Sequence, residues 1–204
     1  MQENLKKLEK LINSELSSKV QNSSLKNNEL LIEVNERDLI EVVQFLKLND
    51  KFKFRQLIDI AGVDYPDEEK RFKLVYLFLS HEYNSRIKLS ISFETNQVIN
   101  SITKIFPSAN WMEREVFDMY GVKFKNHPDL RRILTDYQFE GFPLRKDFPL
   151  TGFKEVRYDP EFKKVTYGPV KLQQDYRDFD FESPWKGSEY IVGEQAKNKE
   201  AKDE

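Results

Sequence analysis

The sequence predicts an α+β fold: a mixed, mostly antiparallel sheet with helices packed on it, followed by an extended irregular C-terminal arm. Three observations carry this. Short segments between residues 29 and 93 read as strands, two of them apolar and one, over residues 86–93, alternating in polarity with the two-residue period. Segments around them repeat apolar residues at helical spacing. After Gly121 no long segment has a helical period, yet seventeen of the 27 aromatic residues (2 Trp, 9 Tyr and 16 Phe) lie from Trp111 onward. A disordered chain would be poor in aromatics, so this half is expected to be ordered and to need a surface to lie on. The expected organisation is an α+β domain over residues 1–121, a partner-wrapping arm over 122–192 and a charged tail over 193–204.

Leu5, Leu8, Ile12 and Leu16 give the first segment one apolar face, as in an amphipathic surface helix. "NSSLKN" is read as a break. "ELLIEV" is a short apolar strand, and Asn35 with Asp38 forms a variant capping box for a helix over residues 36–48. A second short helix is expected over residues 54–60, and Gly62, Asp64, Pro66 and Asp67 are read as a turn cluster. Residues 72–79 form a strand apolar on both faces apart from Lys73, and "RIKLSISF" a strand with one buried and one wet face. "HEYNS" joins them as a hairpin loop. Residues 98–106 look helical and stop at Pro107.

Composition narrows the function. Charged residues make up 33% of the 204, but the formal net charge is only −2, without the basic excess of a nucleic-acid binder. There is no cysteine, which removes disulfides, thiolate nucleophiles and cysteine-held clusters. The two histidines, His81 and His127, lie far apart. The longest apolar run spans residues 74–79, far below the roughly 20 that a membrane helix needs. The opening twenty residues carry three glutamates and fit neither an import presequence nor a secretory signal, so the chain is expected to remain where it is made.

"SANWMEREVFDMYG" is the most informative helix. Asn110 is placed to cap it with Glu113, and Gly121 to end it in the left-handed conformation. Met112, Val116, Phe117, Met119 and Tyr120 cover one arc, and Glu113 falls inside it; Trp111, Arg114, Glu115 and Asp118 share the other side. A carboxylate on an apolar face is costly unless paired. Either Glu113 folds back on its own helix's first N–H groups, or Glu113, with Glu115 or Asp118, meets Arg131, Arg132 or Arg145 from the irregular segment that follows.

These residues resemble a known family. "EREVFDMYGVKFKNHPDLRRIL", "DYQFEGFPLRKDFPL" and "EVRYD" look like the 30 kDa (C-type) subunit of proton-pumping NADH:quinone oxidoreductase, respiratory complex I. "FESPW", ending at Trp185, resembles the family's C-terminal end. Gln138 stands where the family usually has glycine, and Phe142 where it usually has histidine. The resemblance implies a non-catalytic structural subunit of the peripheral arm of that translocase. It would pack beside the 49 kDa-type (D-type) subunit and other hydrophilic-arm subunits. FMN, iron–sulfur clusters and quinone would belong to those partners, with no cofactor in this chain. The location implied is peripheral, on the cytoplasmic side of the bacterial inner membrane or the matrix side of the mitochondrial one.

The stretch "HPDLRRILTDYQFEGFPLRKDFPL" has three readings on its own: a loop on its own domain, a docking surface, or a catalytic loop. The aromatic load and the resemblance favour docking. The structural or interface residues expected are Glu113, Arg114, Glu115, Asp118, Tyr120, His127, Arg131, Arg132, Arg145, Asp147 and Trp185. His127, before Pro128, is expected to make a structural hydrogen bond. Alternatives are the equivalent subunit of a membrane-bound hydrogenase, or a free-standing hydrolase using Glu113 and Asp118.

Overall fold

The structure is a computed structural model that describes residues 2–174. It divides into two compact units, residues 1–153 and residues from 154 onward. Residues 122–153, read above as part of an arm, fall in the first unit. Trp185 and the charged tail lie outside the described residues.

The first unit is built on a five-stranded sheet of order β1-β2-β5-β4-β3. Its strands are β1 (Val20–Lys26), β2 (Glu29–Val34), β3 (Gln56–Asp64), β4 (Phe72–Ser80) and β5 (Ser85–Phe93). Only β2 and β5 run parallel; the other neighbours are antiparallel, so the mixed, mostly antiparallel α+β class is what the chain adopts. The register lines up buried rows across the sheet: Leu30–Ile87–Phe78–Leu57 and Ile32–Leu89–Tyr76–Ile60. On this face lies one core, closed by α1 (Gln2–Glu15), α2 (Leu39–Leu48) and α3 (Ala109–Tyr120). The predicted stripe Leu5, Leu8, Ile12 and Leu16 is buried in it.

Three predicted elements differ, each for a local reason. Residues 54–60 are not helical: most of them enter β3, where a bulge between Leu57 and Asp59 turns Leu57 and Ile60 inward together. That bulge gives a strand the i,i+3 spacing of a helix. Residues 98–106 are not a helix either. β6 (Val98–Asn100) pairs in parallel with β7 (Lys123–Lys125), and a single turn follows in which Ile105 and Phe106 N–H both bond the Ile102 carbonyl. Ile99, Ile102 and Phe106 are buried at helical intervals without a helix. "NSSLKN" is not a break but most of β1, a polar edge strand whose hairpin turns through Asn27 and Asn28, both at positive φ. The cap of α2 is also different: Asp38 precedes it with no side-chain bond, and Asn35 accepts from Gln21 instead.

Gly62 and Asp64 belong to β3 rather than to the turn after it. At Gly62 the strand leaves room for the Tyr120 ring; a Cβ there would stand 2.7 Å from it. α3 ends as expected at Gly121, with φ at +77° and its N–H on the Phe117 carbonyl at 2.8 Å. The predicted cap at its other end is absent, since Ser108 precedes the helix without a side-chain bond.

The second unit contains a hairpin, β8 (Lys154–Asp159) and β9 (Lys164–Pro169). Its cross-strand pairs Val156–Tyr167 and Tyr158–Val165 put four apolar side chains on one face, all more than half exposed.

Among the described residues no helix is long and apolar enough to cross a membrane.

Gly121 generates a test of this fold. A Cβ at this left-handed position would also come within 2.6 Å of Phe142 and Arg145. Gly121→Ala is expected to destabilise the protein by more than about 1 kcal/mol, measured by urea unfolding.

Candidate functional site

The helix α3 and the segment after β7 form one polar assembly. A helix leaves its last four carbonyls without partners inside itself. Here each is met from outside. Phe117 O accepts from Gly121 N–H at 2.8 Å, and Met119 O from Leu144 N–H at 3.2 Å. Asp118 O accepts from Arg132 at 3.3 Å, and Tyr120 O from Arg145 Nε at 2.6 Å. Two of the four donors are guanidinium groups, placed at the negative end of the helix dipole.

Asp118 organises the residues in between. Its Oδ2 accepts the successive backbone N–H groups of Ile133, Leu134 and Thr135 at 3.0, 2.7 and 2.8 Å. Its Oδ1 accepts from Arg132 Nη1 at 2.7 Å and from the Thr135 hydroxyl at 2.6 Å. Burial opposes the charge on this carboxylate, but the Thr135, Arg132 and Leu134 donors outweigh it and hold its pKa far below the usual range. Arg132 is engaged in the same place: Nη2 donates to Gly141 O at 2.9 Å, and its plane lies over Phe139 and Phe142. Arg114, on the same helix, turns to backbone rather than to a carboxylate. It donates to the Arg131 and Arg132 carbonyls at 3.0 and 3.2 Å and so supports the chain that curls around Asp118.

A second clamp joins β3 to residues 145–147. Asp64 accepts from Arg71 Nε and Nη2, at 2.6 and 2.9 Å, and from the Lys146 N–H at 2.8 Å. Arg71 also pairs with Asp147 at 2.9 Å. The guanidinium depresses the pKa of both carboxyls. Arg145 lies over the rings of Phe72 and Phe142. Burial and the nearby Arg71 charge lower its pKa.

Glu113 stands apart from both clamps. Neither sequence expectation describes it: it does not return to its own helix, and among the described residues it meets no arginine. Its Oε1 accepts the Ile102 N–H at 2.8 Å, and its Oε2 has no hydrogen-bond partner among the described residues. His127 Nε2 lies 3.9 Å from Glu113 Oε2. His127 makes the structural bonds expected of it, to Asn110 O and from Asp129 N–H, both at 3.1 Å.

The remaining predicted residues are scattered. Glu115 is exposed, Arg131 pairs with Asp129 on the surface, and Tyr120 is half-buried against Gly62. Phe142 sits edge-on to Phe117 between the two arginines, and the left-handed position in this stretch is Gly141, not Gln138. Sequence reasoning missed Arg71 and took Asp64 for a turn residue. Their only sequence signal is an opposite charge pair flanking a turn, which any surface loop can show.

Around this assembly large apolar side chains face outward. Leu134, Tyr137, Leu150 and Phe153 are 61%, 73%, 85% and 61% exposed, and Trp111 on α3 is 70% exposed.

Known proteins share this chain's sequence and fold. It is 50% identical over 192 residues to the C-type subunit of NADH-quinone oxidoreductase from Mesorhizobium japonicum, covering 94% of this chain and 96% of that one. The protein of the same name from Ruegeria pomeroyi is 55% identical over 164 residues, covering 80% and 82%. A chain in the solved structure of the membrane-bound sulfane sulfur reductase, an archaeal respiratory membrane complex, has the same fold. Its TM-score is 0.61 at 23% identity, over 71% of this chain and 85% of that one. Residues 32–154 match the family model for the respiratory-chain NADH dehydrogenase 30 kDa subunit, and the chain belongs to that family.

Proposed function

We propose that this chain is a non-catalytic structural subunit of the peripheral arm of NADH:quinone oxidoreductase. The enzyme passes electrons from NADH through FMN and iron–sulfur centres to quinone and couples this to proton translocation; those groups sit in other subunits. This chain braces the quinone-reducing module by docking on the 49 kDa-type subunit, and reaches the membrane through the complex, on its cytoplasmic or matrix side.

The observation that carries this reading is the division of labour in residues 131–153. Polar and charged groups turn inward to α3 and β3, while Leu134, Tyr137, Leu150 and Phe153 turn outward. Exposed apolar side chains beside a rigid frame suit an interface. The hairpin offers a separate apolar face of the same kind. The two acids that a hydrolase would need support the same conclusion. Asp118 has both carboxylate oxygens engaged by donors and Glu113 is fully buried, so neither is presented to a substrate. Identity near one half to NADH-quinone oxidoreductase subunits over nearly the whole length favours this enzyme over a hydrogenase scaffold.

Photocrosslinking from Tyr137 or Leu150 in the assembled complex is expected to trap a 49 kDa-type neighbour. Efficient incorporation with no neighbour trapped from either position would remove the docking role. Arg132→Met and Asp118→Asn each leave buried polar groups unmatched, at a cost of about 3–5 kcal/mol. Both are expected to lower the amount of assembled complex on native gels and quinone reductase activity in proportion to it.

Acid unfolding gives a further check. Because the folded pKa of Asp118 lies below its unfolded value, its stabilisation is present above about pH 4 and lost as the pH falls. In Asp118→Asn the acid-induced loss of stability should be correspondingly shallower.

A further inference from the structure

Glu113 has no role in the docking frame, and its surroundings point elsewhere. Its side chain and that of His127 are fully buried. Around it lie the Ser101 hydroxyl and Ile102 N–H from the turn after β6, His127 from the loop after β7, and Tyr76 from β4. The Tyr76 hydroxyl is also buried and has no hydrogen-bond partner among the described residues. From its own helix, Arg114 donates to the Arg131 and Arg132 carbonyls and Asp118 faces Arg132. From β3, the strand packed on α3, Asp59 is exposed and Asp64 is closed by Arg71. Lys47 of α2 is held by the Ile105 carbonyl and the Phe106 ring, and Lys104, Lys123 and Lys125 are exposed. Among the described residues no lysine or arginine pairs with Glu113.

His127 does not supply a cation. Its Nδ1 accepts the Asp129 N–H, so the ring proton is on Nε2, where it is donated to Asn110 O. Protonating Nδ1 would turn an accepting atom into a donor facing another donor. The imidazole is therefore neutral, and a charged Glu113 would be an isolated buried anion.

We propose that Glu113 is a buried proton-binding site: in the folded protein Oε2 carries a proton, and releasing it loosens the packing of α3 on the Ser101–Ile102 turn and the His127 loop. The device is a proton-dependent latch on the helix whose other half frames the docking segment. It does not depend on the proposed function. Burial pushes the Glu113 pKa up to about 7, against the smaller opposing effects of Ser101 and Ile102. The latch would thus work near neutral pH. The folded pKa is the higher one, so stability from this group is full below about pH 4.5 and is lost as the pH rises through about 7.

The test uses the full chain. Infrared difference spectra across neutral pH are expected to show one neutral carboxylic-acid carbonyl band disappearing with a midpoint near 7, absent in Glu113→Gln. The stability of the wild type against unfolding should fall between about pH 5 and about pH 8, while that of Glu113→Gln stays level. At the upper end the variant should have the larger folding equilibrium constant, by on the order of 100-fold. If Glu113→Gln does not fold, NMR titration of isotope-labelled glutamate carboxyls in the wild type decides: one group titrating near 7 supports the latch. All glutamates titrating in the ordinary range, equal pH slopes in both proteins, or an imidazolium at His127 at neutral pH would each overturn it.

Discussion

The last turn of α3 is where the strands and the irregular segment meet, and each solves the other's hydrogen-bonding problem. A helix end needs donors for its free carbonyls; a segment without periodic structure needs partners for its N–H groups. Arg132, Leu144 and Arg145 supply the donors, and the Asp118 carboxylate collects three consecutive N–H groups in return. Gly121 permits this by turning the chain through the left-handed region with no side chain in the way. The charge on Asp118 matters as much as its shape. A neutral group would not attract three backbone dipoles, a guanidinium and a hydroxyl to one point against the cost of desolvation.

Glu113 and Asp118 are the same chemistry on one helix with opposite outcomes. Both are buried. Asp118 faces a cation and convergent donors and stays ionised; Glu113 faces a neutral imidazole, a phenol, the Ser101 hydroxyl and a single N–H and is driven toward its neutral form. Burial opposes the charge at both, and only at Asp118 do local donors outweigh it. The two ends of α3 are thereby held by different physics: an ionic network toward Gly121, and apolar packing around a reluctant carboxyl nearer Ser108.

Regular alternation and regular helical spacing were legible wherever one face of an element simply met the core. β2, β5, α1, α3 and the left-handed Gly121 follow from the sequence on that basis. Legibility failed where the backbone broke its own period. The bulge in β3 and the turn after β6 place Leu57 with Ile60, and Ile99 with Ile102 and Phe106, at spacings a helix would also produce. β1 was hidden for the opposite reason, because an edge strand with no buried stripe leaves no pattern. At the site, the charged motif marked the right helix but not the pairings. Asp118 with Arg132 follows from a plausible charge match, whereas the three N–H groups on Asp118 depend on a loop path that residue types do not encode. Arg71 with Asp64 depends on where β3 ends, which the bulge disguised.

The outward apolar side chains are a consequence of how the segment is held. Ordering each residue costs about 1–2 kcal/mol of backbone entropy, normally offset by burying apolar side chains. From residue 131 to 148 the inward positions are instead occupied by guanidinium groups, backbone N–H groups and the two phenylalanines that the arginines cover. That arrangement fixes the path of the chain through directional bonds, each of modest net worth. It uses few of the segment's large apolar residues, and Leu134, Tyr137 and Leu150 are left in contact with water. A scaffold that shapes a surface with polar bonds can keep its hydrophobic area in reserve, and the area then remains available for a second protein to bury.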